Sequence, residues 1–258
     1  MTTWPPRFAV AYEAMAAIVE QVKEDNLQDR VHCVMVLSEE EECATETRRA
    51  AGKLMCQMYE TGVEVILDRG NIKSHKKLIP TLEKYPNNPI LVVDDDNVQW
   101  PGWLKTFVSD HDKHPNDIIY GHSSSIVGVV NGRIVEGISQ RGFHTHPGQR
   151  TYNEKPANGA AGTLYPAHTF TDERFFDRHL FMRLTPTSDE TWQWACAVMS
   201  GKTFRCLPRC NHPLPIGRNE NALIDVNMLK YTEYHNAIAA EFPEYKEKLL
   251  SLIKQKEL

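Results

Sequence analysis

Short apolar runs alternate with longer amphipathic segments in the first half of the chain. The apolar runs have the length of strands, and the longer segments carry apolar residues on one helical face. The strand-like runs cover residues 31–37, 63–67 and 90–93, and the helix-like segments cover residues 8–24, 46–60 and 74–84. This alternation predicts an α/β fold with a parallel, Rossmann-like sheet. Pro5 and Pro6 remove backbone donors, so any strand before them is two or three residues long at most.

The second half of the chain is less regular. Residues 117–121 form one predicted strand, and residues 126–135 predict a β-hairpin around an Asn-Gly turn. The segment 137–156 is polar and rich in Gly and His, and we interpret it as a mobile loop. At the C-terminus, a helix is expected over residues 225–254, with a break near Phe242 where a proline follows.

The run Ile90–Val93 and the acidic residues behind it are the most informative stretch of the sequence. Four apolar residues are typical of a central strand buried on both faces of a parallel sheet, and Asp94, Asp95 and Asp96 follow directly. Neighbouring carboxylates repel one another and are costly to desolvate, so a cation is expected to neutralise them. Because ligands of open α/β sheets bind beyond the carboxyl ends of the strands, the stretch predicts a divalent metal site that holds a phosphorylated ligand.

A solvated acidic turn is the alternative interpretation of this stretch, because most charge runs lie on exposed faces. The apolar strand in front favours the ligand site, and so does the segment Trp100–Trp103 behind, which begins a new helix. An EF-hand is excluded. Val98 and Gln99 occupy the fifth and sixth positions, where that loop needs a ligand and a Gly.

Composition, charge and missing motifs narrow the class of protein. The chain has 258 residues, enough for one large domain or two small ones, and 41% of them are hydrophobic, which allows a sizeable core. Its net charge of −5 gives no basic field for a nucleic acid. The sequence contains neither a G-x-G-x-x-G turn nor a P-loop, which argues against a dinucleotide-binding domain and against a P-loop nucleoside triphosphatase.

Apolar runs, the N-terminal residues and the cysteine spacing indicate a cellular compartment. No run reaches the roughly 18–20 apolar residues of a membrane span, and no signal peptide opens the chain, so a cytoplasmic location is expected. The six cysteines form no Cys-x-x-Cys pair. Free, buried thiols in a reducing compartment are therefore favoured over a zinc cage.

Several polar residues outside the acidic stretch have both a structural and a ligand-binding interpretation. Ser74 suits a helix N-cap. Lys76 and Lys77 follow in the first turn, where lysine opposes the helix dipole, so they hint at an anionic ligand or are ordinary surface residues. His144 and His146 are expected to be solvated loop residues rather than metal ligands.

Two segments of the second half combine turn chemistry with candidate catalytic groups. The small residues at 159–162 let the backbone approach a ligand closely, or they form a tight turn before a strand. Thr187 and Glu190 match a capping box, with Thr187 as the N-cap of a helix that continues to Met199. Asp189 then has no local partner at the N-terminus of that helix, so its carboxylate is free to point into a ligand-binding site.

Four segments stand in an order that resembles the GT-A-fold glycosyltransferases. They are Thr3–Arg7, Lys77–Pro80 with the following Val92–Asp96, Gly159–Pro166, and Thr185–Trp192. More narrowly, they are similar to a bacterial group with the motifs TSYPPR, KKLIPAL with VDDD, GGGGVLYPP and ADDIW. The resemblance spans nearly the whole chain. It implies an α/β GT-A fold, with a mixed, mainly parallel central sheet flanked by helices.

The resemblance also implies an activity. A metal-dependent glycosyltransferase of the hexosyl type would move a sugar from a UDP- or GDP-sugar donor to the hydroxyl of a saccharide acceptor, with inversion. Mn²⁺ or Mg²⁺ is the implied cofactor, and surface polysaccharide biosynthesis is the implied role. A lipid-linked acceptor would bring the protein to the inner face of the cell membrane. One domain is expected, with a nucleotide-sugar-binding half at 1–121, an acceptor and catalytic half at 122–220, and a helical extension at 221–258.

By the same resemblance, individual residues acquire roles. Asp96 and Asp94 are the metal-binding DxD pair with His212 as a further metal ligand, Asp189 is the catalytic base, and Glu190 is the neighbouring alternative. The implied nucleotide-sugar contacts are Thr3, Pro5, Arg7, Asp68, Ser74, Lys77, Asp94 and Asp95, and the implied acceptor pocket is lined by Gly159, Ala160, Ala161 and Gly162.

These residue types suit the implied chemistry. A metal offsets the charge that builds on the departing diphosphate, and a carboxylate takes the proton from the acceptor hydroxyl. Asp189 at a helix N-terminus is expected to be ionised but weakly basic. Gly-Ala-Ala-Gly at 159–162 replaces four glycines of the group, and the added methyls narrow the implied pocket.

Two other functions are kept open. A sugar-phosphate nucleotidyltransferase shares the architecture, but it opens with a Gly-rich basic loop, and residues 2–7 contain no Gly. A non-catalytic sugar-binding domain is the other alternative.

Overall fold

The computed structural model describes residues 1–39, 45–121, 124–137, 147–156, 159–209, 211–217 and 227–256 of the chain. The helices are α1 (Phe8–Glu24), α2 (Thr45–Glu60), α3 (Ile79–Lys84), α4 (Trp103–Lys113), α5 (Arg178–Leu184), α6 (Asp189–Met199), α7 (Tyr231–Glu241) and α8 (Pro243–Lys256). The strands are β1 (Val34–Ser38), β2 (Glu64–Asp68), β3 (Ile90–Val92), β4 (Asn97–Val98), β5 (Ile118–Tyr120), β6 (Ser124–Val130), β7 (Arg133–Gly137), β8 (Arg150–Thr151), β9 (Glu154–Pro156), β10 (Thr163–Tyr165), β11 (Phe204–Cys206) and β12 (Leu214–Pro215). The architecture is therefore mixed α/β, as the alternation of apolar patterns predicts.

Helix α1 shows how the apolar pattern fixes local structure. It spans Phe8–Glu24, the range predicted from its periodicity. Its buried face includes Met15, Ile18 and Val22, which recur at helical spacing. The helix ends before Asn26, whose φ of 55° is a left-handed conformation that asparagine tolerates well.

Strands β1 and β2 pair in parallel, in a register that runs from Val34 opposite Glu64 to Ser38 opposite Asp68. On the other edge of β1, Thr2 forms an isolated parallel bridge with Val36. The expectation of a very short strand before the two prolines is thus confirmed.

The five-stranded sheet corrects two expectations. Its order is β3–β10–β5–β11–β8, so within the described residues β3 lies at an edge and pairs antiparallel with β10. The prediction that Ile90–Val93 is a central strand of a parallel sheet is wrong. A continuous apolar run specifies burial, but it does not specify the direction of the neighbouring strand.

The pairing directions do not fit a mainly parallel sheet either. β1 pairs with β2, and β5 with β11, in parallel. The pairs β3–β10, β5–β10, β8–β11, β4–β12, β6–β7 and β6–β9 are all antiparallel. The described sheets are mixed, with antiparallel pairs in the majority.

The predicted hairpin is confirmed. β6 and β7 pair antiparallel around Asn131 and Gly132, whose φ angles of 49° and 77° suit a tight hairpin turn. The interpretation of 137–156 as a loop is wrong for its last part, because that part contains β8 and β9, and β9 pairs with β6. His144 and His146 lie outside the described residues.

Two apolar clusters form the core. Strand β5 contributes Ile118 and Tyr120 to one cluster and Ile119 to the other, because successive side chains of a strand point to opposite faces. The first cluster contains residues of α5 to α8, and the second contains residues of α1, α2 and α4. The five-stranded sheet is therefore covered by helices on both faces.

The C-terminal helices complete the first cluster. The break between α7 and α8 falls at Phe242, with Pro243 at the first position of α8, as predicted. Tyr245 and Leu249 of α8 are fully buried, and the Tyr245 hydroxyl contacts Nδ1 of His235 at 2.7 Å. None of the described helices is both long enough and apolar enough to cross a membrane.

The cysteines for which the structure gives a state are free thiols, as expected, and they are Cys33, Cys56, Cys196 and Cys206. The expected burial is confirmed for Cys196 and Cys206, but it is wrong for Cys56, which is exposed, and Cys33 is only partly buried. Cys43 and Cys210 lie outside the described residues.

Candidate functional site

The three carboxylates after β3 have different partners. Asp95 is buried and accepts hydrogen bonds from Thr3 Oγ1 at 2.6 Å and from Arg7 Nη1 at 2.9 Å. This carboxylate therefore fastens the N-terminal stretch to the end of β3. Its role in this structure is structural, whereas Asp94 and Asp96 make ion pairs with Lys77 and Arg7.

Arg7 joins the second and third carboxylates. It follows Pro5 and Pro6 in a 3-10 turn, and its guanidinium also lies 3.0 Å from Oδ2 of Asp96. Its Nε atom is buried and has no hydrogen-bond partner in the described structure. A buried donor without a partner is costly, so this N–H is available for an acceptor atom supplied by a ligand.

Lys77 connects the acidic cluster, which is Asp94–Asp96, to the second half of the chain. Its ammonium forms an ion pair with Asp94 and lies 3.7 Å from Oδ2 of Asp189. Burial acts to lower the pKa of Lys77, but the charges of Asp189 and Asp94 outweigh it and raise the pKa. Lys77 is thus a charged lysine enclosed between the two carboxylates. Its neighbour Lys76 is buried too and donates to Ser38 Oγ at 2.7 Å, so neither is an ordinary surface residue.

The cluster carries an excess of negative charge. The ion pairs of the described residues bring two cations, Arg7 and Lys77, to four carboxylates, those of Asp94, Asp95, Asp96 and Asp189. Burial and then the charge of Asp94 raise the pKa of Asp96 to about 6. The raised pKa is what a partly buried carboxyl shows when nearby cations do not fully offset its neighbours.

Asp189 is the first residue of α6 and is buried. Its Oδ2 accepts a hydrogen bond from Gln193 Nε2 at 3.3 Å, one turn along the helix. The N-cap of α6 is Ser188, whose Oγ accepts from the Thr191 N–H at 3.3 Å, so the prediction of Thr187 as N-cap is wrong by one residue. Thr187 instead hydrogen-bonds to the side chains of Asn227 and Tyr234.

Glu190 points into a different environment. Its carboxylate lies 3.2 Å from Nζ of Lys155, a buried lysine that also contacts Glu136 at 3.2 Å. Burial, followed by the charge of Glu190, raises the pKa of the Tyr231 hydroxyl. The capping-box role predicted for Glu190 is wrong, because this side chain is held in an ion-pair network instead of capping the helix.

That network continues into the core and was missed by sequence reasoning. Glu136 contacts Nε2 of His235 at 2.8 Å, and its neighbouring charges overcome burial to lower its pKa to about 2. Burial is the main reason why the pKa of His235 is lowered. No local motif links these residues, since they come from β7, β9, α6 and α7.

The small residues at 159–162 are packed against the protein itself. Ala160 and Ala161 accept hydrogen bonds through their carbonyls, from Gln99 Nε2 and Trp103 Nε1, both at 2.8 Å. Gly159 accepts the N–H of Asp94 at 2.9 Å, and a Cβ at Gly159 would overlap the Asp94 carboxylate. The turn therefore shapes the position of Asp94, and its structural interpretation is supported for these atoms.

The remaining predicted residues are distributed around this centre. Asp68 is buried at the end of β2. Its carboxylate accepts hydrogen bonds from both Nη atoms of Arg178, at 2.7 and 3.1 Å. Ser74 lies within the 3-10 turn Lys73–Lys77, so its predicted N-cap role is wrong, and its buried hydroxyl has no partner in the described structure. His212 is exposed and lies two residues before β12, which pairs with β4 beside the acidic cluster.

The donor set decides whether a metal can fit. Among the described residues, no three His, Cys, Asp or Glu side chains form a group able to hold a metal ion, so Asp94, Asp96 and His212 do not assemble as a trio. Mg²⁺ and similar ions, however, are commonly bound by one or two carboxylates together with phosphate oxygens and water. Asp94 and Asp96, with their excess negative charge, fit that second kind of site.

Comparisons with known proteins add little to the geometry. No family model matches the chain, and no curated protein matches it. Among solved structures, one similar chain is described as the crystal structure of apo-UDP-glucose pyrophosphorylase. It is 13% identical, the match covers 93% of this chain and 86% of that one, and the TM-score is 0.38. A likeness at that level carries no argument about fold or activity, so function is argued from the residues.

Proposed function

We propose that the protein is a metal-dependent glycosyltransferase that moves a sugar from a nucleotide-sugar donor to a hydroxyl of a saccharide acceptor, with inversion. One observation supports this most: Lys77 joins Asp94 of the acidic cluster to Asp189 at the start of α6. A candidate donor-binding carboxylate and a candidate base thus flank one side chain. Direct transfer between two bound substrates needs such proximity.

The charged side chains of the site suggest how the nucleotide-sugar donor would bind. Asp96 and Asp94 would hold Mn²⁺ or Mg²⁺, which supplies positive charge against the departing diphosphate. Arg7 offers its partnerless Nε–H to a phosphate oxygen, since guanidinium groups bind phosphate through several directed donors. Lys77 adds a second cation next to the same carboxylates. Asp95 keeps Arg7 in place through its hydrogen bond at 2.9 Å.

The surroundings of Asp189 and Glu190 differ, and this difference indicates which of the two would take the proton from the acceptor hydroxyl. Glu190 is held by the buried ammonium of Lys155, so it is not available to a substrate. Asp189 has a hydrogen bond to Gln193 and a longer contact to Lys77, which leaves it able to accept a proton. In the proposed step, the acceptor oxygen bonds to the anomeric carbon, the bond to the diphosphate oxygen breaks, and the acceptor proton passes to Asp189.

The test is turnover of nucleotide sugars. The protein is incubated with UDP- and GDP-sugars, Mn²⁺ and a panel of oligosaccharide acceptors, and release of nucleoside diphosphate is measured. We expect release that needs both Mn²⁺ and an acceptor, that is lost in Asp96→Ala, and that persists in Asp112→Asn. Asp112 is an exposed α4 residue paired with Arg30, which makes it a matched control.

The competing functions give different outcomes in the same assay. Pyrophosphate release from a nucleoside triphosphate and a sugar 1-phosphate, without diphosphate release from any nucleotide sugar, would identify a nucleotidyltransferase. Donor binding without turnover by any acceptor, unchanged in Asp189→Asn, would identify a sugar-binding domain.

A further inference from the structure

Lys155 lies within a buried group of charged side chains next to Asp189. Its Nζ atom is 3.2 Å from Oε1 of Glu136 and 3.2 Å from Oε1 of Glu190. The ammonium also lies over the ring of Tyr231, 4.3 Å from the ring centroid. Burial acts to lower the pKa of Lys155, but the charges of Glu136 and Glu190 outweigh it and raise the pKa. Lys155 is therefore a charged lysine that two carboxylates share.

The two carboxylates differ in how they are held. Glu136 is almost fully enclosed and has two further contacts, with Ser125 Oγ and with Nε2 of His235. The side chain of Glu190 is 19% exposed, and among the ion pairs of the described residues its partner is Lys155. Loss of Lys155 would leave Glu136 with its other contacts. Glu190, in contrast, would lose the cation that holds it.

A second cation lies within electrostatic reach of Glu190. Burial acts to lower the pKa of Lys77, the two neighbouring aspartates raise it, and the charge of Glu190 raises it further. Lys77 already pairs with Asp94 and lies 3.7 Å from Oδ2 of Asp189. A Glu190 side chain that is no longer held would therefore compete with Asp189 for the ammonium of Lys77.

We propose that Lys155 is a positioning residue for sugar transfer, which acts by holding the Glu190 carboxylate away from the proposed base, Asp189. This role rests on the proposed function. With Glu190 held, Lys77 keeps its contact with Asp189, and one carboxylate of the adjacent pair is left to take the acceptor proton. Misplacement of a reacting group by about 1 Å can cost about 10²-fold in rate, so displacement of Asp189 has a measurable effect.

The sheet around Lys155 suits a residue that fixes a position. Lys155 belongs to β9, and in the antiparallel pairing of β9 with β6 it stands opposite Ser125. β6 pairs in turn with β7, which carries Glu136. The lysine is thus fixed from the side of a three-stranded sheet, and Glu190 of α6 is the partner that it restrains.

Second-site rescue tests this role. In Lys155→Met, we expect the kcat of sugar transfer per folded molecule to fall by about tenfold or more, while the KM for the donor stays unchanged. In the double variant Lys155→Met/Glu190→Gln, most of the lost kcat should return, because the side chain that needs restraint no longer carries a charge. Glu190→Gln alone should retain most of the parent kcat. Circular dichroism gives the folded fraction of each variant.

Two measurements separate positioning from stability. Met58 of α2 is fully buried in the other core cluster, so Met58→Ala should lower the melting temperature but leave kcat per folded molecule unchanged. The unfolding free energies of the parent, the two single variants and the double variant form a double-mutant cycle. This cycle measures the coupling between Lys155 and Glu190 without any turnover, and we expect the coupling to be favourable.

Several results would overturn the positioning role. An equal kcat in folded Lys155→Met and in the parent would assign Lys155 to stability alone. A double variant as slow as Lys155→Met would show that the loss does not pass through Glu190, and a cycle without coupling would show that Lys155 does not hold Glu190. No release of nucleoside diphosphate by the parent protein is a different failure, because it rejects the proposed function and the positioning role with it.

Discussion

The Nζ atom of Lys77 lies 3.7 Å from Oδ2 of Asp189, and this contact joins the two halves of the candidate site. The same ammonium pairs with Asp94 beyond β3. A buried cation between two carboxylates restrains the distance between them. It also makes the site dependent on a single side chain, and this dependence can be tested.

Replacement of Lys77 by Met should destabilise the protein. The change leaves Asp94 and Asp189 without their shared cation, and removal of one partner from a buried pair typically costs about 3–5 kcal/mol. Mn²⁺ should recover more stability in this variant than in the parent protein, because it restores positive charge at the same carboxylates. Urea denaturation with and without Mn²⁺ measures both effects.

Lys84→Met is the matched control, since Lys84 pairs with Glu64 at the surface. Its stability should stay close to that of the parent, and Mn²⁺ should affect the two equally. Comparable losses in Lys77→Met and Lys84→Met would contradict the buried role of Lys77.

Replacement of Gly159 by Ala should weaken metal and nucleotide-sugar binding together. The added Cβ would overlap the Asp94 carboxylate, so Asp94 has to move away from its present position. We expect a loss of affinity on the order of tenfold, measured by calorimetric titration of Mn²⁺ with a donor nucleotide. Gly128→Ala is the control, because nothing lies within 4 Å of a Cβ there. Unchanged affinity in Gly159→Ala would separate Asp94 from the binding site.

The two adjacent carboxylates of α6 should respond differently to neutralisation. Asp189→Asn is expected to lower the rate of sugar transfer by about 10²–10⁴-fold while the fold is retained, as is typical when a general base is removed. Glu190→Gln is expected to lower the melting temperature, because buried Lys155 loses one of its two carboxylate partners. Initial rates and thermal melts of both variants make the comparison. A larger rate loss in Glu190→Gln at equal folded fraction would reverse the assignment of the base.

Stability should fall as the pH drops below about 6.5, in part because of His75. Burial lowers the pKa of this side chain, whose Nε2 lies 2.9 Å from the Thr185 carbonyl and whose ring stacks on Phe181. The unfolded chain binds a proton near pH 6.5 and the folded chain does not, so protonation favours unfolding by up to about 1.4 kcal/mol per pH unit. Above that pH, both states are neutral and the contribution is fully present.

The variant His75→Gln tests whether His75 causes part of the loss of stability at low pH. Glutamine can keep a donor to Thr185 but does not titrate, so the slope of unfolding free energy between pH 7 and pH 5 should decrease. His179→Gln, at an exposed position of α5, should leave the slope as it is. An unchanged slope in His75→Gln would assign the acid sensitivity to other groups, such as His235.

Local features of the fold were predictable because their causes are local. The periodicity of α1, the Asn131-Gly132 turn and the break at Pro243 each depend on a few consecutive residues, and all three are confirmed. The edge position of β3 and its antiparallel partner were not predictable. That partner, β10 (Thr163–Tyr165), is distant from β3 in the sequence, and no local pattern specifies their pairing. Apolar patterns encode burial more strongly than they encode pairing.

The candidate site shows the same division. The acidic cluster and Asp189 stand out by residue type and position, and the structure brings them to one lysine. The diversion of Glu190 to Lys155 could not be anticipated, because a lysine in β9 gives no local signal of its distant partners. The N-cap error at Thr187 arose because Ser188 beside it is an equally good cap by type.

The packing of α8 sets a practical limit on shortened versions of this protein. Tyr245 and Leu249 are enclosed by the first core cluster, and the Tyr245 hydroxyl meets His235, which in turn contacts Glu136. Trimming the chain after α7 would therefore open the interior beneath α6, the helix that begins with Asp189. Attempts to obtain a shorter folded fragment should remove residues elsewhere and keep the final helix intact.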